Sequence, residues 1–343
     1  MTQGEKTGAN VTPESGIPNP AALLVCTAVL VFASLAFPPG TRAQAYPNRP
    51  VRLIVPWAPG GSTDSIGRIL GQKLSESTGQ QWIIDNRGGA TGTIGHAFAA
   101  KAAPDGYTLL LGTNSTFAIA PHLYKSLQYD NDRAFAPVSL VAVSPQILSV
   151  HPSLPVRSVK ELIALAKAKP GAISFSTAGV GATSHMATEL FMNMAGIRMT
   201  HVPYKGGGPS AQALIGGETA LSFVDVITAL PQAQAGRLRP IATSTAKRTA
   251  LMPELPAIAE AGLPGFESVT SFGLFAPAGT APEIIARVNR EVIRALAAPD
   301  VKEKLRAQGI DPAGTPPEAL VAHQKQETVK WGKVIREQGI RFE

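Results

Sequence analysis

The 343-residue chain has a single cysteine, Cys26, and it sits in an apolar stretch near the N-terminus. No intrachain disulfide can form, and a cysteine-built metal centre or thiol nucleophile in the body of the chain is ruled out. Aromatic residues make up only 6% and charged residues 16%. The net charge of +7 comes from positive residues that are scattered rather than run together, so the basic stripe with stacking aromatics that a nucleic-acid surface needs is missing. A mild bias towards anionic small molecules remains. Absent too are Gly-x-Ser-x-Gly, a Walker loop, His-Glu-x-x-His, a clear Rossmann fingerprint and a helix-turn-helix. The six histidines show no metal-ligand spacing. No metal or cofactor is expected.

Residues 1–45 stand apart. Ala21 to Phe37 carries no charge, Pro38-Pro39 closes it, and Ala43-Gln44-Ala45 has the small-x-small form of a signal peptidase site. The stretch is an expected cleaved export signal, although Glu5 and Glu14 offset Lys6 ahead of it. An uncleaved anchor is the alternative, at the short edge of what spans a bilayer. Leu23-Leu24-Val25 before Cys26 lacks the small residues of a lipidation site. Cutting after Ala45 removes 45 of 343 residues and leaves 298, enough for two domains.

Beyond the signal, short apolar runs alternate with helical patterns. Strands are expected at 51–55, 81–85 and 107–112, with a helix opening at Ser62-Thr63-Asp64 and carrying Ile66, Ile69, Leu70 and Leu74 at helical spacing. This is the rhythm of a parallel sheet covered on both faces. Val138 to Val150 is too long for one ordinary strand and reads as chain passing between domains. A second series follows. Ser158 and Glu161 form a capping box, Pro170-Gly171 stops its helix, and strands are expected at 173–177, 199–203, 220–224 and 238–243. Ser268 to Ala276 is a second crossing strand, with helices after it at 281–296, 301–308 and 317–338. The domain reading is 46–145 with 270–343 as one domain and 146–269 inserted as the other, joined by a hinge.

Three glycine-rich turns lie between apolar runs and helix starts: Pro56 to Asp64, Ser176 to His185 and Val202 to Pro209. Glycine lets backbone approach a ligand closely, and a helix start presents N–H groups with partial positive charge, so the expected occupant is an anion. In such sheets ligands sit outside the carboxyl ends of the strands. The candidate contacts are Trp57, Gly60, Gly61 and Ser62 on the first turn, and Asn114 and Ser115 after the third strand. From the second series come Ser176, Thr177, Gly181, Thr183 and His185, then Tyr204, Lys205, Gly206 and Asp225. Each has a bland alternative: Trp57 as packing, His185 as a structural ring, Lys205 as a solvated loop residue, Asp225 as a helix cap. Asp64 reads as a capping carboxylate.

The same residues resemble a family. Pro56 to Asp64 (PWAPGGSTD), Asn86 to Ala90 (NRGGA), Ala103 to Leu110 (APDGYTLL), the His185-x-x-x-Glu189 helix, His201 to Gly206 (HVPYKG) and Glu260 to Phe266 (EAGLPGF) are similar to the solute receptors of tripartite tricarboxylate transporters, the Bug receptors, in the same order from Tyr46 to Glu343. The sequence departs from that pattern at Gly88, Thr91 and Phe272, where the family usually has proline, glycine and often tryptophan. The resemblance implies an α/β periplasmic binding fold of two Rossmann-like domains. These close over a small carboxylate (a di- or tricarboxylate, an amino acid or an aromatic acid) held by backbone N–H groups, hydroxyls and bridging waters. Its implied partners are membrane transporter subunits or, alternatively, a sensor kinase, with the receptor a monomer. A periplasmic hydrolase or lyase is the reading from another class.

If the signal is cleaved as expected, periplasmic material has an intact mass starting at Tyr46 and no titratable thiol. A membrane-bound product that retains Cys26 overturns the export reading.

Overall fold

A computed structural model describes residue 8 and residues 46–249, 252–338 and 340; the apolar stretch, Cys26 and the residues before the expected cleavage point lie outside the described residues. From Pro47 onward the chain clusters as one unit, in which the strands fall into two groups linked by a shared long strand.

In the first group, strands β1 (Val51–Val55), β2 (Trp82–Asn86) and β3 (Thr108–Thr113) pair in parallel in the order β2-β1-β3. Val51, Leu53, Ile54 and Val55 are fully buried, as a strand covered on both faces requires. Helix α1 (Ser62–Thr78) follows β1 and buries Ile66, Leu70 and Leu74. It stops at Gly79, whose left-handed φ of 69° lets its N–H close onto Ser75 O. Helix α2 (Thr93–Ala100) links β2 to β3, and after β3 a π-helical turn (Ser115–Ile119) runs into the short helix α3 (Ala120–Leu123). Neither the π-helical turn nor α3 is signalled by periodicity, because each is shorter than two periods.

Strand β4 (Phe135–Val150) runs unbroken for 16 residues. Up to Pro145 it pairs antiparallel with β9 (Val269–Pro277); from Gln146 it pairs with β7 (Leu221–Asp225). Register shifts between Pro137 and Ser139 and between Leu140 and Ala142 bend it. The switch falls where proline has no N–H to give a ladder. The second group adds helix α4 (Val159–Ala168), strand β5 (Ser174–Thr177), helix α5 (Thr183–Ala195), strand β6 (Thr200–Pro203) and helix α6 (Gly207–Ile215). Helix α7 (Val226–Gln234) and strand β8 (Arg239–Thr243) follow β7. Here β5 lies parallel to β6 and β7, and β8 pairs with β4. Ser158 caps α4 as expected, accepting from Glu161 N at 3.2 Å; Glu161 answers on Arg157 N rather than on the cap residue.

The C-terminal elements α8 (Pro282–Ala297), α9 (Pro299–Arg306), β10 (Asp311–Pro312) and α10 (Pro317–Gln338) return to the first group, where β10 pairs with β4. Helix α10 brings two buried groups to the cleft end of β3. Glu327 Oε2 accepts from Trp331 Nε1 at 2.9 Å and from Asn114 Nδ2 at 2.8 Å, while Asn114 Nδ2 also donates to Val269 O at 2.9 Å. Trp331 is fully buried and Glu327 nearly so, so these bonds have no water to replace them. Glu327→Ala orphans the indole N–H and one amide N–H, each costing about 1–3 kcal/mol. The urea unfolding free energy should fall by roughly 2–4 kcal/mol, and an unchanged midpoint would contradict this account of the network.

Candidate functional site

A cavity of about 70 Å³ opens at the carboxyl ends of β1, β3, β5 and β7. Three helices start at it: α1 with Gly61 as its N-cap, α5 with Ala182 and α6 with Gly206. None of these cap residues donates or accepts a side-chain cap bond, so the first-turn N–H groups lack both an intrahelical partner and a local cap. Positive φ values at Gly60, Gly181 and Gly206 (90°, 79° and 116°) turn the chain into these starts, a conformation that side chains with a Cβ rarely adopt.

Of the expected residues, Trp57, Gly61, Ser62, Ser115, Thr183 and Asp225 line the cavity. The remainder stand around or behind it. Asn114 accepts from Thr183 Oγ1 at 2.9 Å and anchors the lining from below. Ser176 is buried beneath the floor, donating to Ser210 O at 3.0 Å. Thr177 Oγ1 lies 2.6 Å from His201 Nε2 and accepts from Gly179 N. Gly181 N donates to His185 Nδ1 at 3.1 Å, and the His185 ring is stacked on His201 with centroids 4.3 Å apart. His185 is therefore a brace for the glycine turn. Gly60 N is held by Asp64, Gly206 N by Ala178 O, and Tyr204 OH by Glu218 on the surface. Lys205 is exposed and does not line the cavity.

The lining is almost wholly neutral. Hydroxyls that sequence reasoning passed over, among them Thr113, Ser184, Ser210, Ser222 and Thr270, face the cavity together with Gln146. Thr113 ends β3 and Ser184 lies in the first turn of α5, positions that the strand-to-helix rule could have supplied. Asp225 is the one charged lining residue. Burial raises the proton affinity of its carboxyl, and hydrogen bonds from Ser62 and Gln146 offset this only in part. Asp225 is the N-cap residue of α7, yet its side chain makes no cap bond. It takes Ser62 Oγ–H at 2.7 Å instead. Asp64 behaves differently. Burial alone would raise its pKa, but hydrogen bonds from Arg68, Gly60 N and Asn86, with the Arg68 charge, hold it below the ordinary carboxylate value.

Several contacts join residues that precede β4 to residues that follow it. Besides Ser62–Asp225, Ser115 Oγ accepts from Thr183 N at 3.0 Å and lies 3.0 Å from Thr183 Oγ1. Thr91 donates to Val180 O at 2.5 Å. Thr91 has a φ of 54°, a conformation that residues with a Cβ rarely adopt, and its hydroxyl makes a bond that a glycine there could not. Phe272 is fully buried and lies away from the cavity lining, which removes it from the cleft. A second, larger cavity of about 520 Å³ lies against α10, lined by Phe117, Phe135, Pro137 and Phe275. It lacks the converging helix starts. Among the described residues no group of three or more metal-ligating side chains occurs, and no helix is long and apolar enough to cross a membrane.

A family model described as "Tripartite tricarboxylate transporter family receptor" matches residues 66–340. Protein BugT of Bordetella pertussis is 37% identical over 321 residues, covering 93% of this chain and 98% of that protein. Rpa4515 of R. palustris, solved with adipate, is 39% identical with a TM-score of 0.84, covering 87% of this chain and 100% of that one. MatC (Rpa3494) of Rhodopseudomonas palustris, solved with bound malate, is 32% identical with a TM-score of 0.80, covering 84% of this chain and 100% of that one.

The histidine stack has a pH signature. Burial, reinforced by the neighbouring His185, lowers the His201 pKa to about 3, and burial likewise lowers that of His96 to about 3, outweighing the bond that its Nδ1–H donates to Gly92 O at 3.1 Å. Between pH 6.5 and 3 the unfolded chain therefore binds protons that the folded chain does not. Their contribution to stability is complete above pH 6.5 and is lost as pH falls. His201→Phe, which keeps the ring stack, should show a smaller drop in unfolding free energy between pH 7 and pH 5 than the parent protein; equal drops would refute this assignment.

Proposed function

The chain belongs to the receptors of the tripartite tricarboxylate transporter family, and from that premise we propose that it is a periplasmic solute-binding receptor. It acts as a monomer, capturing a small carboxylate and delivering it to membrane transporter subunits. The observation that carries this reading is the set of three helix starts around one neutral cavity. Donors fixed in the backbone favour an anion, and hydrogen bonds to an ionised acceptor are about twice as strong as neutral ones, so hydroxyls and N–H groups hold a carboxylate without an arginine clamp. The relatives solved with adipate and malate support a ligand of this class.

We also propose that binding closes two domains, 46–145 with 270–343 and 146–269. In support, β4 changes partner between Pro145 and Gln146. On the return path Ser268 N donates to Ser244 O just before β9 begins. The contacts from Ser62, Thr91 and Ser115 to Asp225, Val180 and Thr183 all run between these segments. A ligand touching both sides shifts the population towards the form that offers it more contacts and raises the melting temperature by linkage.

Thermal shift and small-angle scattering across a panel of di- and tricarboxylates, amino acids and aromatic acids test the proposal, with the mixtures assayed afterwards for chemical change. The expected hit raises Tm, reduces the radius of gyration and is recovered intact; a hit that is consumed supports a hydrolase or lyase instead. Gly61→Val is the matching variant, because Gly61 is extended (φ −91°, ψ 175°) and a Cβ there meets no atom within 4 Å. It should fold normally and lose at least tenfold in affinity, since the isopropyl group enters the cavity. Unaltered binding would move the site elsewhere. Gly181→Val is the weaker probe, as its positive φ adds strain.

A further inference from the structure

We propose that Gln146 and Asp225 form an acceptor pair that selects a carboxylate bearing a hydrogen-bond donor substituent, a hydroxyl or an ammonium group, over the same acid without one. The inference rests on the receptor reading above. The two residues face each other in register across β4 and β7, at the point where β4 changes partner. Both line the cavity.

Gln146 lies in register beside Asp225, and its side chain favours the ionised form of the Asp225 carboxyl. Only its amide nitrogen can do so; the reversed amide would set two oxygens against each other. The other end, Oε1, is buried and has no hydrogen-bond partner among the described residues. A buried acceptor of this kind is ordinarily paired. The strand cannot shift to relieve it, because Gln146 N donates to Ser244 Oγ at 2.9 Å and Ser244 N donates to Gln146 O at 2.8 Å.

Asp225 Oδ2 already takes the Ser62 hydroxyl proton. The unpaired group at this wall is therefore an acceptor, Gln146 Oε1, beside a carboxylate whose other lone pairs also accept. The helix starts offer the reverse. On their side the Trp57 Nε1–H is a buried donor with no partner among the described residues, and it too lines the cavity. The cleft therefore has a donor end that suits carboxylate oxygens and an acceptor end that suits N–H or O–H. A ligand without a donor leaves Gln146 Oε1 unpaired when the cleft closes, and sites built around a polar partner discriminate strongly against analogues that lack it.

The test compares matched acids: succinate, malate and aspartate at one length, and adipate, 2-hydroxyadipate and 2-aminoadipate at another. Affinities are measured by titration calorimetry for the parent protein and for Gln146→Leu, with Gln146→Met as the alternative should the leucine variant fail to fold. In the parent protein, a donor-bearing acid should bind at least tenfold tighter than its unsubstituted partner. In the variant that ratio should fall at least fivefold. The hydroxy and amino arms identify which donor is read. Equal or tighter binding of the unsubstituted acid, a ratio that the variant preserves, or a uniform loss for every acid overturns the proposal. A hit from the wider panel that carries no donor substituent and binds more tightly than every donor-bearing acid overturns it while the receptor reading stands; no carboxylate binding at all removes the receptor reading itself.

Discussion

A helix cannot satisfy its own first N–H groups, and that constraint shapes the cleft end of this molecule. The usual remedy is a serine, threonine, aspartate or asparagine at the cap. At α1, α5 and α6 the cap positions hold Gly61, Ala182 and Gly206, which have no hydrogen-bonding side chain to offer. The donors are left pointing into shared space. What partner they find comes from elsewhere: at α5 it is the Ser115 hydroxyl, from a segment 68 residues away in sequence. A site that lacks local caps is completed either by the opposite wall or by a ligand, and the two compete for the same N–H groups.

That competition explains a lining built from hydroxyls. A serine or threonine can accept from a helix N–H in one state and donate to a carboxylate in another, because its proton rotates. A lysine or arginine could do only half of this and would cost more to desolvate when the walls meet. The only charge in the lining, Asp225, is tied to Ser62 across the cleft and lies in register beside Gln146. Rigid supports stand behind these groups: the Asn114–Glu327–Trp331 bonds on one side and the Phe175–His201–His185 stack on the other.

Much of this was legible in sequence, and the reasons differ by residue. The strands of the parallel groups stand out because both their faces are apolar, and the expected ranges differ from the observed ones by at most one residue at either end. Gly61, Ser62 and Thr183, which line the cavity, were legible as candidates because strand-turn-helix chemistry is local. The length of β4 also signalled a strand that leaves one group for another. Gln146 was missed because its meaning lies in its register with Asp225, 79 positions later, and nothing near it in sequence marks that pairing. Ser176, Thr177 and His185 lie in the expected turn but outside the cavity lining: period-two alternation finds a strand end, yet not which of its polar side chains turns inward to brace the loop. Tyr204 and Lys205 were drawn in by their glycine neighbours, although their side chains lie outside the cavity lining.

The central claim is that backbone donors at helix starts from both sides of β4 hold the ligand carboxylate. A crystal structure of the protein with a tight-binding carboxylate tests it most directly. The account predicts carboxylate oxygens within about 3 Å of N–H groups in the first turns of α1 and α5, with the Ser115 hydroxyl displaced from Thr183 N or shared with the ligand. A carboxylate held by lysine or arginine side chains, or bound in the apolar cavity against α10, would contradict it.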